Sequence, residues 1–140
     1  MSDRSSDEEQ VSFVGIPTFI HAPFVRSFVE LQQEGADVAI VGAPAEMVIN
    51  RPGARFGPRA IRQAGYVESP NDYVYHMELE VYPTRVLKIV DYGDAACTPL
   101  SIELSHKAIK SKVSEVLKVG AKPLVLGGDH SITLPVGTAI

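Results

Sequence analysis

The chain of 140 residues has no tryptophan and a single cysteine, Cys97. One thiol excludes an internal disulfide and fits a reducing compartment, so stability must come from a hydrophobic core. No apolar run approaches the length of a bilayer span, so no membrane partner is expected. Positive charge is scarce as well. Thirteen basic residues stand against 17 acidic ones, a net charge of −4 with no basic stripe for a phosphate backbone, which argues against nucleic acid. The first ten residues are acidic and lack the apolar core of a secretory signal, so the cytoplasm is the expected location. Nothing in residues 1–10 offsets the entropy of ordering them, and a disordered acidic tail is expected there.

What is present suits one soluble domain. Apolar residues make up 45% and charged residues 21%, and this length can bury a real core. Val11 to Pro23, with Gly15 and Pro17, reads as an irregular arm laid over a surface. Phe24 to Gln33 suggests a short helix stopped by Gly35. Three β-branched or aliphatic runs follow as strands: Asp37–Val41, Val86–Val90 and Lys122–Leu126. Pro58 to Ala64 begins as a helix with proline in its first turn. Pro99 to Val119 is the clearest helix, with Ile102, Ile109, Val113, Val116 and Leu117 on one face. Ser101 or Thr98 caps its start and Gly120 closes its end. Strand, helix, strand, helix, strand implies a parallel α/β sheet, whose ligands bind outside the carboxyl ends of the strands.

The chemistry-bearing residues follow those strand ends. Asn50-Arg51-Pro52-Gly53-Ala54-Arg55-Phe56-Gly57-Pro58 is more constrained than a plain connector needs, and reads as the wall of a small-molecule pocket. Glu46 lies in the same loop. Asp91 and Asp94 follow the second strand; spacing favours a local turn, with Asp94 capping backbone N–H groups, over support of a metal. Gly127-Gly128-Asp129-His130-Ser131 ends the third strand. A histidine there, beside an aspartate, is well placed to hold a metal, while two glycines before a helix can instead cradle an anion. His21, His76 and His106 have no partners at ligand spacing, and His106 reads as solvated.

Three of these segments together resemble one family. Gly127-Gly128-Asp129-His130-Ser131 is similar to the first metal-binding signature of the ureohydrolases, the arginase and agmatinase family. The Arg51-to-Pro58 loop resembles that of the agmatinase-like branch, and Asp91-Tyr92-Gly93-Asp94 resembles the family's Asp-x-Gly-Asp turn. Gly15-Ile16-Pro17-Thr18-Phe19 resembles the arm before the first strand.

The resemblance implies a three-layer αβα sandwich around a parallel sheet, with 11–140 as the N-terminal part of that domain. It implies two Mn²⁺ ions whose shared hydroxide attacks a guanidinium carbon and releases urea. His130 is then a metal ligand. Asp129, Ser131, Asn50, Arg51, Gly53 and Asp94 are the expected supporting or pocket residues. A small guanidino substrate and a homo-oligomer are the implied partners.

The family's two later ligand motifs do not occur, and the first-strand loop, Gly42-Ala43-Pro44-Ala45-Glu46, is one residue shorter than usual. The expectation is therefore the N-terminal piece of an agmatinase-like hydrolase, inactive by itself. A truncated paralogue that binds and modulates full-length subunits is the alternative, and an anion-binding domain resting on Gly127-Gly128 comes last.

Overall fold

The computed structural model describes residues 15–47, 52–68 and 75–140. The expected disordered tail, and the pocket residues Asn50 and Arg51, lie outside them. Three parallel strands form the centre: β1 (Val38–Ala43), β2 (Ile89–Asp94) and β3 (Lys122–Gly127), in the order β2-β1-β3. The first helix, α1 (Phe28–Glu34), precedes β1; α2 (Gly57–Glu68) and a single turn, α3 (Pro83–Val86), lie between β1 and β2. Between β2 and β3 runs α4 (Ile102–Lys118), and α5 (Thr133–Gly137) follows β3.

Alternation along β1 supplies both faces. Ala39 and Val41 pack with Leu31 of α1 and Val116 of α4, while Ala43 packs with Ile109 and Val113 of α4. Ile40 points the other way, to Ala22, Leu126, Phe19 and Ile20 beneath α2. Helices thus cover the two sides of the sheet, which gives three layers. Ile109, Val113 and Val116 are fully buried, each worth about 1.5–3 kcal/mol. No helix among the described residues is long and apolar enough to cross a membrane.

Long-range contacts shift several boundaries. The first helix starts at Phe28 rather than Phe24, because the chain at Pro23–Val25 lies along β2: Asp91 N–H donates to Pro23 O and Val25 N–H to Asp91 O, each at 2.9 Å. Ser27 then caps the helix by accepting from Glu30 N–H. The second strand begins at Ile89, three residues later than Val86, since Pro83 opens a helical turn over Pro83–Val86. Asp91 and Asp94 therefore belong to the strand instead of a turn after it. The helix expected over Pro58–Ala64 runs Gly57–Glu68. In α4, Ser101 is the cap and accepts from Leu104 N–H. Ile102, expected on the buried face, is 38% exposed; one turn on, Ser105 is buried, its Oγ 2.8 Å from Thr98 O. His106 is not solvated either: it is half-buried, and its Nε2 is enclosed without a hydrogen-bond partner among the described residues.

Arg62 joins these parts. Its Nε and Nη2 donate to the two oxygens of Asp91 at 2.8 and 2.9 Å, and Nη1 donates to Asp94 Oδ1 at 2.5 Å. Phe19 N–H and Gly93 N–H also donate to Asp91, each at 3.0 Å. The local turn contact thus falls to Asp91, and Asp94 pairs with a helix rather than capping backbone. Arg62 is 7% exposed and Asp91 1%, so each ion depends on the other for solvation.

Arg62→Ala is expected to destabilise the fold by about 3–5 kcal/mol, the cost of leaving a buried carboxylate uncompensated. Leu100→Ser, at a residue 91% exposed, should stay within about 0.5 kcal/mol of the parent. Urea unfolding of the two variants separates these outcomes.

Candidate functional site

From the central strand the chain moves to β2 through α2, then returns past β1 to β3 through α4. A parallel sheet whose connections leave a strand in opposite directions opens a crevice at the carboxyl ends of the strands. Here that crevice lies between β1 and β3. The segments entering it are the one after Ala43 and the one after Gly127, which face each other in register.

Hydrogen bonds bind these two segments together. Gly128 N–H donates to Ala43 O at 3.3 Å and Asp129 N–H to Ala45 O at 3.0 Å. In return, Met47 N–H donates to Asp129 Oδ2 at 2.5 Å. Asp129 Oδ1 accepts from Ser131 N–H at 3.0 Å and Ser131 Oγ at 2.5 Å, which caps the short 3-10 turn His130–Ile132. Glycine is required where the segments touch. A Cβ on Gly128 would collide with Ala45 O and lie 2.7 Å from Ala43 O, and one on Gly57 would collide with Gly127 O. Because the Gly128 and Asp129 amides are occupied by carbonyls, they make no anion cradle, and the anion-binding alternative loses its basis.

His130 follows this clamp and is exposed. The other histidines are elsewhere: His21 Nε2 lies 2.9 Å from Tyr66 O, and His76 Nδ1 accepts from Leu79 N–H.

Glu46 faces the Pro-Gly loop. Its Oε2 accepts from Gly53 N–H at 2.8 Å and Arg55 N–H at 3.1 Å. These two amides, Arg55 first, hold its carboxyl below the usual glutamate range. Glu46, Arg55 and Phe56 line a cleft of about 220 Å³ together with Cys97, Thr98 and Pro99. Burial, with the nearby Asp94 charge second, pushes the Cys97 thiol up, which makes it less reactive than a free thiol. Asp94 is not in this cleft; it lines a separate cavity with Arg59, Arg62 and Tyr66. Arg62 carried no motif signal. The only trace is its place between Pro58 and Tyr66 at helical spacing, the three forming a buried stripe.

Among the described residues, no group of three or more His, Cys, Asp or Glu side chains could hold a metal ion. His130 is one imidazole on a braced mount, and hard cations such as Mn²⁺ require several oxygen donors besides. The described residues alone do not fit a complete Mn²⁺ site.

The sequence profile of the arginase family matches residues 36–140. The chain is 37% identical over 133 residues to a guanidinobutyrase of Pseudomonas aeruginosa, covering 94% of this chain and 40% of that protein. It superimposes on the crystal structure of a hypothetical agmatinase from Burkholderia thailandensis with a TM-score of 0.75 at 30% identity, covering 92% of this chain and 38% of that one. A formiminoglutamase of Trypanosoma cruzi, solved with Mn²⁺, gives a TM-score of 0.63 at 33% identity, covering 80% of this chain and 38% of that one. The chain thus spans about two fifths of the length of the relatives it matches.

Asp129→Ala should cost about 1–3 kcal/mol in thermal or urea unfolding, since it leaves the Met47 and Ser131 amides without an acceptor. Glu46 gives a pH signature. Its carboxyl is more acidic folded than unfolded, so its contribution is complete above the ordinary glutamate pKa of about 4.3 and lost as the pH falls below it. The stability difference between the parent and Glu46→Gln should accordingly be largest near neutrality and shrink as the pH falls below the ordinary glutamate range; a difference independent of pH would contradict this assignment.

Proposed function

Because the chain belongs to the arginase family, we propose that it is the N-terminal portion of an agmatinase-like ureohydrolase acting on a linear guanidino compound, with urea and an amine as products. One observation carries this reading: His130 stands at the carboxyl end of β3, beside the crevice of the sheet, on a loop clamped to β1 through Asp129. In this reading His130 is a ligand of Mn²⁺. Asp129 and Ser131 orient its turn, and Asn50, Arg51 and Gly53 belong to the pocket wall. The Mn²⁺ in the T. cruzi relative supports that choice of metal. Asp94, engaged by Arg62, has a bracing role. We place the protein in the cytoplasm, in keeping with its single cysteine, and as a homo-oligomer with a small guanidino substrate.

The described residues bring one metal-binding imidazole, and the 140-residue chain by itself is therefore inactive. A second reading draws on β3, which pairs only with β1 among the described residues and leaves Leu124 43% exposed. Parallel strands are normally covered on both sides. That edge favours association with further polypeptide, as a truncated paralogue modulating full-length subunits would need.

The test compares two purified proteins, supplied with Mn²⁺ and offered guanidinobutyrate, guanidinopropionate or agmatine. One is the 140-residue chain, and the other a polypeptide of the relatives' length that carries this sequence. Urea is expected from the longer protein only, and its release by the short chain would overturn the inactivity. In the longer protein, His130→Ala should abolish turnover and lower bound Mn²⁺. Asp129→Asn should cost about 10–100-fold in metal affinity or activity, as lost support of a ligand does. A longer protein that turns over normally with His130→Ala would refute the role of His130.

A further inference from the structure

The turn facing Glu46 has little to hold itself in place. Ala54–Phe56 is a single 3-10 turn with no side-chain cap of its own, entered from Gly53 at φ 119°. The turn runs directly into α2 at Gly57, and like any helical start its leading amides lack internal partners. Phe56 is 56% exposed, so burial does not anchor the turn. The Arg55 guanidinium lies 3.9 Å from Glu46 with its side chain 46% exposed, a separation worth little in water. At the far end, Gly57 abuts Gly127. At the near end Phe56 N–H donates to Gly53 O within the turn at 3.0 Å, and the two amide hydrogen bonds to Glu46, whose side chain is only 12% exposed, tie the turn to the segment after β1.

We propose that Glu46 is the latch of the cleft: its carboxylate, by accepting from the Gly53 and Arg55 amides, holds the Gly53–Phe56 turn at a set distance from the Cys97–Pro99 loop and so fixes the width of the opening between them. Glu46 also adjoins Met47, whose amide Asp129 holds. The same short segment therefore positions both the cleft wall and the turn that carries His130. Glu46 is a positioning residue in this arrangement. It touches backbone, and its effect on anything entering the cleft passes through the turn. The inference concerns the shape of the cleft and does not require turnover.

The single cysteine provides a reporter, because Cys97 lines the same cleft. The experiment measures backbone amide exchange and the rate of Cys97 alkylation by iodoacetamide on the 140-residue chain, for the parent, Glu46→Ala and Glu46→Gln. With Glu46→Ala, exchange at Gly53 and Arg55 should rise about tenfold or more, as expected when paired charge-assisted hydrogen bonds are lost. Alkylation should quicken several-fold, while exchange in α4 stays near the parent's. Glu46→Gln keeps an acceptor oxygen and should restore part of both effects. Unchanged exchange at Gly53 and Arg55 would overturn the proposal. So would a rise of the same size across the whole chain, α4 included, which would make Glu46 merely structural. If Glu46→Ala does not fold, the same readings on Glu46→Gln decide.

Discussion

Arg62 and Asp91 form the contact on which the rest of this structure leans. Asp91 sits in the strand β2 and Arg62 on the helix α2, and both are removed from water. An ion pair so placed stabilises little relative to a well-packed apolar pair, but removing either partner strands a charge. Here the pair is saturated: three guanidinium N–H groups and two backbone amides converge on Asp91 and Asp94. The bidentate geometry fixes α2 in rotation and height against the sheet. It also ties the arm at Phe19 to the same carboxylate. The start of α2 is Gly57, which meets Gly127 directly. Through that helix, the buried pair governs where the loop before α2 meets the loop after β3.

The crevice is built by a different use of negative charge. Asp129 directs its carboxylate at the Met47 amide across the crevice and at Ser131 beside it. Glu46 directs its own at the Gly53 and Arg55 amides of the loop it faces, with the Arg55 guanidinium 3.9 Å away. Each converts a stretch of irregular chain into a fixed wall, since amides that would otherwise need water gain a charged acceptor. His130 and Arg55 remain exposed on those walls. Acids rigidify these walls, while an imidazole and a guanidinium stay exposed on them. Such bracing is what a site needs when its reacting groups must be held to a fraction of an ångström.

Local pattern made much of this legible. The aliphatic runs located all three strands, and the periodicity over residues 102–118 located α4 together with its Ser101 cap. The Gly-Gly-Asp-His-Ser segment marked the loop after β3, and glycine proves necessary there because backbone of β1's loop passes against Gly128. Boundaries slipped where a distant partner intervened. Phe24 was drawn out of a helix by pairing beside β2, and Asp91 was drawn into a strand by Arg62, 29 residues before it. His106 read as solvated from its lysine-rich neighbours, yet packing encloses its Nε2. Arg62 itself gave no signal, because an arginine in a helix reads as exposed until its acid is found.

Local pattern alone gives the α/β class, the main helices and strands, the parallel sense of the sheet and the loops at the strand ends. These follow from hydrophobic period, turn residues and caps, all of which act over a few neighbouring residues. Tertiary structure alone decided the order β2-β1-β3, and with it the crevice between β1 and β3. It also decided which acid serves which partner: Asp94 to Arg62, Asp129 to an amide 82 residues earlier, Glu46 to the turn it faces. Those pairings depend on chain segments being brought together by burial of the core, a free energy summed over the whole domain. No local run of residues contains that sum, so no motif could announce them.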